Sequence, residues 1–298
     1  MAQMASLLGD NQVADFNEFG YLRIQGLLSR EEAERYRQLI LAMVPRDLTI
    51  PFPWKSIAGR IKPYHEGYGD QETRYGYEDD GIWDTPELIP LLCHEGLYGV
   101  ARELIGTSEL RAQDGTIGIT LRNDDAGFSV GALPRPDFSN VTLSQPLHID
   151  PSVPEDVDNF SFLPTELQVG GLFYLTDVEP GGGGITVVPG GHKLVQEEAL
   201  AARSGGRQLH HNWKDIAGFP APVEVTGEAG NFIMTHYLLP HAASHNRRER
   251  ARVAYFIRFS RLDHPFYPPP LPGPSRYNGR QLAVMTPLAR RLLGLEPW

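Results

Sequence analysis

LQVGGLFYLTDVEPGGGGITVVPGG, residues 167–191, decides the fold class. Two short runs rich in β-branched, aromatic and leucine residues flank the breaker E-P-G-G-G-G, a pattern that predicts two strands joined by a tight turn. A phosphate-cradling loop also uses glycines, but it needs a Lys-Ser/Thr pair and opens a helix, and here a second strand follows instead. The same texture extends outward on both sides. LRAQDGTIGITLRN (110–123), NVTLSQPLHID (140–150), APVEVTG (221–227), GNFIMTHYLLPHAAS (230–244) and ARVAYFIRFSRL (251–262) are short β-rich runs between Gly/Pro turns. Seven or more such strands predict a mainly β fold with flanking helices, its core a double-stranded β-helix of the jelly-roll, cupin-like kind. Two long connections interrupt them: 123–140, and 193–220, which carries a helix pattern. Long connections inside a compact domain are commonly lids or binding loops.

Before residue 108 the periodicity is helical or irregular. FGYLRIQGLL reads as a short strand and turn. Ser29 then caps the helix SREEAERYRQLILAMV, whose first turn is acidic and whose apolar stripe includes Leu39, Ile40 and Met43. Residues 47–85 are rich in Pro, Gly and aromatics and read as irregular. TPELIPLLCHEGLYGVARELIG reads as one or two helices ending at Gly106, and TPLARRLLGL near the end of the chain as another. The expected organisation is a single domain over 1–298: a helical and irregular layer (1–107), the jelly-roll core (108–262) and a Pro-rich tail (263–298).

The chain has 298 residues, ample for one sizeable core. A net charge of −10 argues against nucleic acid or an anionic membrane surface as partner. No stretch reaches the roughly 18 apolar residues of a membrane span, and the first residues lack the basic and apolar regions of a secretory signal. The single cysteine, Cys93, excludes an internal disulfide framework and a cysteine-based zinc cage, and its apolar surroundings read it as a core residue. The expected compartment is the cytoplasm.

A strand aims residues i and i+2 at the same side, so His148 and Asp150 of QPLHID can converge on one point. Imidazole nitrogen with carboxylate oxygen suits a metal such as Fe(II), and a third ligand is needed. The run 230–246 offers His236, His241 and His245, among which residue type does not choose. Two histidines and one carboxylate on one face leave open positions for a cosubstrate and dioxygen. An arginine would hold the far carboxylate of 2-oxoglutarate through its planar fork. Arg252 enters a strand, whereas Arg247, Arg248 and Arg250 read as solvated in a polar turn.

FNEFGYLRIQGLLSREEAERYRQLI, QPLHID, GGLFYLTDVEPGGGGITVVPGGHK and HAASHNRRERARVAYFIRF together resemble the phytanoyl-CoA dioxygenase family of Fe(II)/2-oxoglutarate-dependent oxygenases, most of all its natural-product-tailoring members. In that family's last motif the distal histidine precedes an asparagine by five residues and an arginine by eleven. His241 satisfies both, with Asn246 and Arg252. The resemblance therefore implies a metal triad of His148, Asp150 and His241, with Arg252 on the distal carboxylate of 2-oxoglutarate. It also implies Gln145 and Thr186 as further cosubstrate contacts. Asp150 argues against halogenation, since halogenating members carry a small residue there.

The sequence departs from the family pattern at Gly190–Gly191–His192, which lacks the usual serine, at Ala243, where a serine is common, and at Asn231, where an acid is common.

The implied activity is oxidation of a C–H bond of a small organic molecule in secondary metabolism, hydroxylation by default, with release of succinate and CO2. Desaturation, rearrangement and ring formation use the same ligands. Fe(II), 2-oxoglutarate and dioxygen are the implied cofactors, with ascorbate as a stimulant, and a monomer or homodimer is expected. The competing readings are a catalytically silent metal-binding scaffold or sensor, a metal-dependent isomerase or hydrolase, and an acyl-CoA hydroxylase. The expected pocket walls are the two long connections and the 47–85 segment. Trp54, Tyr75, Phe138 and Trp213 offer apolar faces there, and Arg60, Arg74 and Arg122 offer anion contacts.

Overall fold

The computed structural model describes residues 7–43, 62–63, 73–76, 85–120, 122, 147–150, 168–204, 216–262 and 277–298. Among these residues ten strands form two antiparallel sheets. The larger contains β1 (Tyr21–Ile24), β2 (Lys62–Pro63), β3 (Thr73–Gly76), β4 (Leu110–Thr120), β5 (Gln168–Tyr174), β8 (Phe232–His236) and β10 (Arg252–Arg261), in the order β1-β8-β5-β10-β4-β3-β2. The smaller contains β6 (Ile185–Val187), β7 (Val223–Val225) and β9 (His241–Ala243), in the order β7-β6-β9. The 147–150 segment joins the β9 edge through the His148–His241 bridge. Two antiparallel sheets facing each other across an apolar interior, with helices outside, form the expected jelly roll.

Alternation along β10 explains the layering. Val253, Tyr255, Ile257 and Phe259 point outward and are buried with Phe16, Ile40, Leu97 and Ile105, four residues that belong to the helices α1 (Asp10–Phe19), α2 (Arg30–Met43) and α4 (Glu95–Ile105). Arg252, Ala254, Phe256 and Arg258 take the other face, toward the space between the sheets. Leu172, Tyr174, Ile185, Val187, Val225, Ile233 and Ala254 pack together in that space. Tyr174 ties the two sheets. Its hydroxyl donates to the Val225 carbonyl at 2.7 Å and accepts from the Ile185 N–H at 3.0 Å. Burial pushes this phenol up to about 12.

The caps follow local chemistry. Ser29 and Glu32 bond each other's backbone N–H across the first turn of α2, a reciprocal capping box. His94 Nδ1 accepts from the Leu97 N–H and starts α4, which ends on left-handed Gly106. Between these helices in sequence lies α3 (Ile89–Leu92); α5 (Gly191–Ser204), α6 (Gly279–Val284) and α7 (Pro287–Leu292) are the further helices among the described residues. Cys93 is buried, as read from its neighbours, and burial pushes its thiol up. Among the described residues no helix is long and apolar enough to cross a membrane.

Two sequence expectations need correction, and one helix lies where none was expected. Residues 62–63 and 73–76 are paired strands rather than irregular chain, with β3 extending the sheet from β4. The 230–246 run is two strands in different sheets, because the chain turns at Tyr237–Pro240. Residues 10–19 form a helix that weak amphipathicity concealed. It stops at Gly20, whose φ of 78° belongs to the left-handed region and whose N–H closes on the Phe16 carbonyl.

Candidate metal centre

His148 and His241 exchange both backbone hydrogen bonds at 2.9 Å, each N–H donating to the other's carbonyl. Residues paired in this way put their side chains on the same face, and the two rings lie 4.4 Å apart, centre to centre. Asp150, two residues on, is fixed by its own N–H to the Tyr237 carbonyl at 2.8 Å. One ligand atom from each of His148, Asp150 and His241 lies within 4.8 Å of the others. Among the described residues this is the group of His, Cys, Asp and Glu side chains that could hold a metal ion.

The histidine is prepared for a metal by what it bonds on its far side. His241 Nδ1–H donates to the Leu239 carbonyl at 2.8 Å, which leaves Nε2 with its lone pair toward Asp150 Oδ2 at 3.6 Å. Two nitrogen donors and one oxygen donor on one face fit a divalent transition metal such as iron. Burial by itself raises the Asp150 carboxyl. The charge of Arg258, with His241 and His148 beside it, outweighs that and holds the group well below the ordinary carboxylate range.

Arg252 is 2% exposed and faces the inter-sheet space, its Nη1 donating to the Gly183 carbonyl at 2.7 Å. Asn246 explains how it is held there. Its amide nitrogen donates to the Thr120 and Arg250 carbonyls, its oxygen accepts from the Arg248 N–H, and β10 therefore begins at a fixed place. Arg248 and Arg250 are exposed, as expected for a polar turn.

The other candidates separate. Gln145 lies outside the described residues, as do Trp54, Arg60, His65, Phe138, His210, His211 and Trp213. Thr186 is buried but pairs with Ala242, so it shares that residue's face of the smaller sheet and points away from His241. Its hydroxyl is hydrogen-bonded to Ser244. The structure does not bring Thr186 to the triad. His236 lies on the helix side of the larger sheet beside His192 and Phe16, and His245, though buried, is not in the ligand group. His192 lies in the first turn of α5, and its Nε2 meets the Asn17 carbonyl at 3.2 Å. Arg122 pairs with Glu249.

Two residues of this region escaped the sequence reading. Arg258 Nη2 meets Asp150 Oδ1 at 2.7 Å and its Nε meets Oδ2 at 3.3 Å. It lies six residues after Arg252, an even spacing that places both arginines on one strand face, and that was its signal. Thr120 is opposite Arg252 in register and fully buried, and among the described residues its Oγ1 has no hydrogen-bond partner. Nothing in sequence marks it among the threonines.

Residues 16–254 match the family model for phytanoyl-CoA dioxygenase (PhyH). A probable phytanoyl-CoA dioxygenase of Caenorhabditis elegans is 23% identical over 260 residues, covering 87% of this chain and 77% of that protein. The non-heme alpha-ketoglutarate-dependent carbocyclase SnoK of nogalamycin biosynthesis superposes with a TM-score of 0.59 at 20% identity, covering 88% of each chain. HygX of Streptomyces hygroscopicus, solved with nickel and 2-oxoglutarate, superposes with a TM-score of 0.53 at 20% identity over 85% of this chain and 87% of that one. At such identity the two structures speak for the fold alone. The family match, which spans most of the sequence and both halves of the candidate centre, is what shows that the chain belongs to the phytanoyl-CoA dioxygenase family.

Proposed function

We propose that this chain oxidises a C–H bond of a small organic molecule, hydroxylation being the default outcome, at an iron held by His148, Asp150 and His241. As a member of its family it is an Fe(II)/2-oxoglutarate-dependent dioxygenase. The observation that carries the reading is the convergence of the three side chains beside the inter-sheet space that Arg252 also faces. A silent scaffold would not require a buried guanidinium there.

Iron and 2-oxoglutarate, when bound, supply the oxidising chemistry, in which dioxygen is consumed and 2-oxoglutarate leaves as succinate and CO2. The chain's residues do the placing. His148 and His241 present neutral imidazole, and Asp150 presents charge. Arg252 matches a distal carboxylate with its fork, and the Thr120 hydroxyl across the strand pair is a second donor for it. Leu172, Ile185, Val187 and Ala254 give the interior its apolar surface, which excludes water from reactive groups.

Likeness of fold to SnoK and HygX supports a natural product as substrate and a role in secondary metabolism. The name of the nematode relative favours a second class, an acyl-CoA thioester. We place the protein in the cytoplasm on its acidic balance and single cysteine.

The test is anaerobic titration of the purified protein with Fe(II) and 2-oxoglutarate. A visible charge-transfer band that disappears in His241→Ala and weakens in Arg252→Ala establishes the centre; folded, iron-loaded protein without the band removes the oxygenase reading. Succinate release stimulated by nogalamycin-type natural products, against acyl-CoA thioesters, then separates the two substrate classes.

A further inference from the structure

We propose that Arg258 makes Asp150 a one-oxygen ligand, so that the carboxylate holds one position on the metal and leaves its neighbour open. The inference rests on the metal reading above. The two carboxylate oxygens of Asp150 have different surroundings. Oδ1 is taken by Arg258 Nη2 at 2.7 Å, a charge-assisted contact at full strength. Oδ2 faces His241 Nε2 at 3.6 Å, and among the described residues its hydrogen bond is the longer one from Arg258 Nε, at 3.3 Å. An ion among the three donors therefore meets Oδ2, while Oδ1 is already committed.

The arrangement is built into the sheet. Gly170 is the register partner of Arg258 on the neighbouring strand β5. A Cβ on Gly170 would meet Arg258 Cγ at 2.9 Å. Its φ lies outside the left-handed region, so the backbone there does not require glycine. What the glycine provides is room for the arginine stem to cross β5 and reach Asp150. Outer-shell partners of this kind orient a ligand and tune the metal. Here the consequence concerns coordination number. Two imidazoles and one carboxylate oxygen leave three positions open, but a carboxylate using both oxygens would close one that a chelating cosubstrate or dioxygen needs.

The experiment uses Co(II)-substituted full-length protein, whose visible absorption reports ligand number, recorded before any 2-oxoglutarate is added. Arg258→Met and Gly170→Ala are compared with wild type, with far-ultraviolet circular dichroism confirming the fold. The second variant removes no contacting group and decides the matter if the first does not fold. We expect the Co(II) band to change in position and intensity in both, and 2-oxoglutarate uptake by the loaded protein to fall about 10-fold or more. Because the spectrum is taken without 2-oxoglutarate, an arginine that merely touched the cosubstrate would leave it unchanged. A folded variant whose Co(II) spectrum superimposes on wild type overturns the inference while the metal centre stands. Wild-type protein that takes up no Co(II) overturns the centre, and this inference with it.

Discussion

Tyr237 and Asp150 are joined by one backbone hydrogen bond, the Asp150 N–H donating to the Tyr237 carbonyl at 2.8 Å, and this contact sets the depth of the candidate metal centre. Tyr237 begins the turn that carries the chain from the larger sheet to the smaller one. The carboxylate is thus anchored to the corner whose other end, at His241, supplies an imidazole. The centre sits at the junction of the two sheets for this reason.

Replacing His241 or Asp150 by Ala should lower metal affinity by more than the about 10–100-fold typical of losing an outer-shell partner. Calorimetric titration with Co(II) checks this. Melting temperature measured without metal should also fall for His241→Ala, because the buried Leu239 carbonyl loses its donor, at a cost of about 1–3 kcal/mol.

Arg252→Ala should raise the KM for 2-oxoglutarate by more than about 100-fold, because hydrogen bonds to charged groups contribute about 1.5–3 kcal/mol each and a fork makes two. Thr120→Val removes one hydroxyl and should raise it about fivefold, near 1 kcal/mol. Thr186→Val should leave KM close to wild type, since that hydroxyl faces Ser244 on the other side of its strand. Succinate formation at varied cosubstrate concentration measures all three, and a Thr186 effect larger than the Thr120 effect would reverse this assignment.

Tyr174→Phe should cost about 1–3 kcal/mol of stability, because the Ile185 N–H and Val225 carbonyl both lose their partner in a buried place. Gly171→Ala should cost more than about 3 kcal/mol. Its φ is 152°, and a Cβ would lie 1.9 Å from the Ile233 carbonyl oxygen. Urea denaturation of both variants gives the values.

Stability should fall as pH drops from 6.5 toward 4. Burial lowers His192 to about 4, with Lys193 adding to the shift and the Asn17 carbonyl and Glu18 opposing it. Burial also lowers His236, whose ring lies 4.8 Å from that of His192. In this window the unfolded chain binds protons that the folded chain refuses, so each lower pH favours unfolding. The stabilisation is complete above 6.5, and His192 alone accounts for a loss of about 3 kcal/mol across the window. His192→Gln should flatten the profile in thermal melts between pH 4 and 7.

Period-two alternation with Gly/Pro punctuation made the strands legible, and hence the jelly roll, because burial on one face writes itself into sequence at that period. Ser29 and Gly106 were legible for a similar reason, since capping depends on neighbours within a few residues, and the two-residue spacing of His148 and Asp150 marked them as a candidate pair. The choice of His241 over His236 needed family spacing, and in space it depends on the turn at 237–240 that sends the two to different sheets. Arg258 with Asp150, separated by 108 residues, and Thr120 beside Arg252 were decided only by tertiary structure. Strand order and register set which distant residues share a face, and that information lies in pairings that no local pattern of residues records.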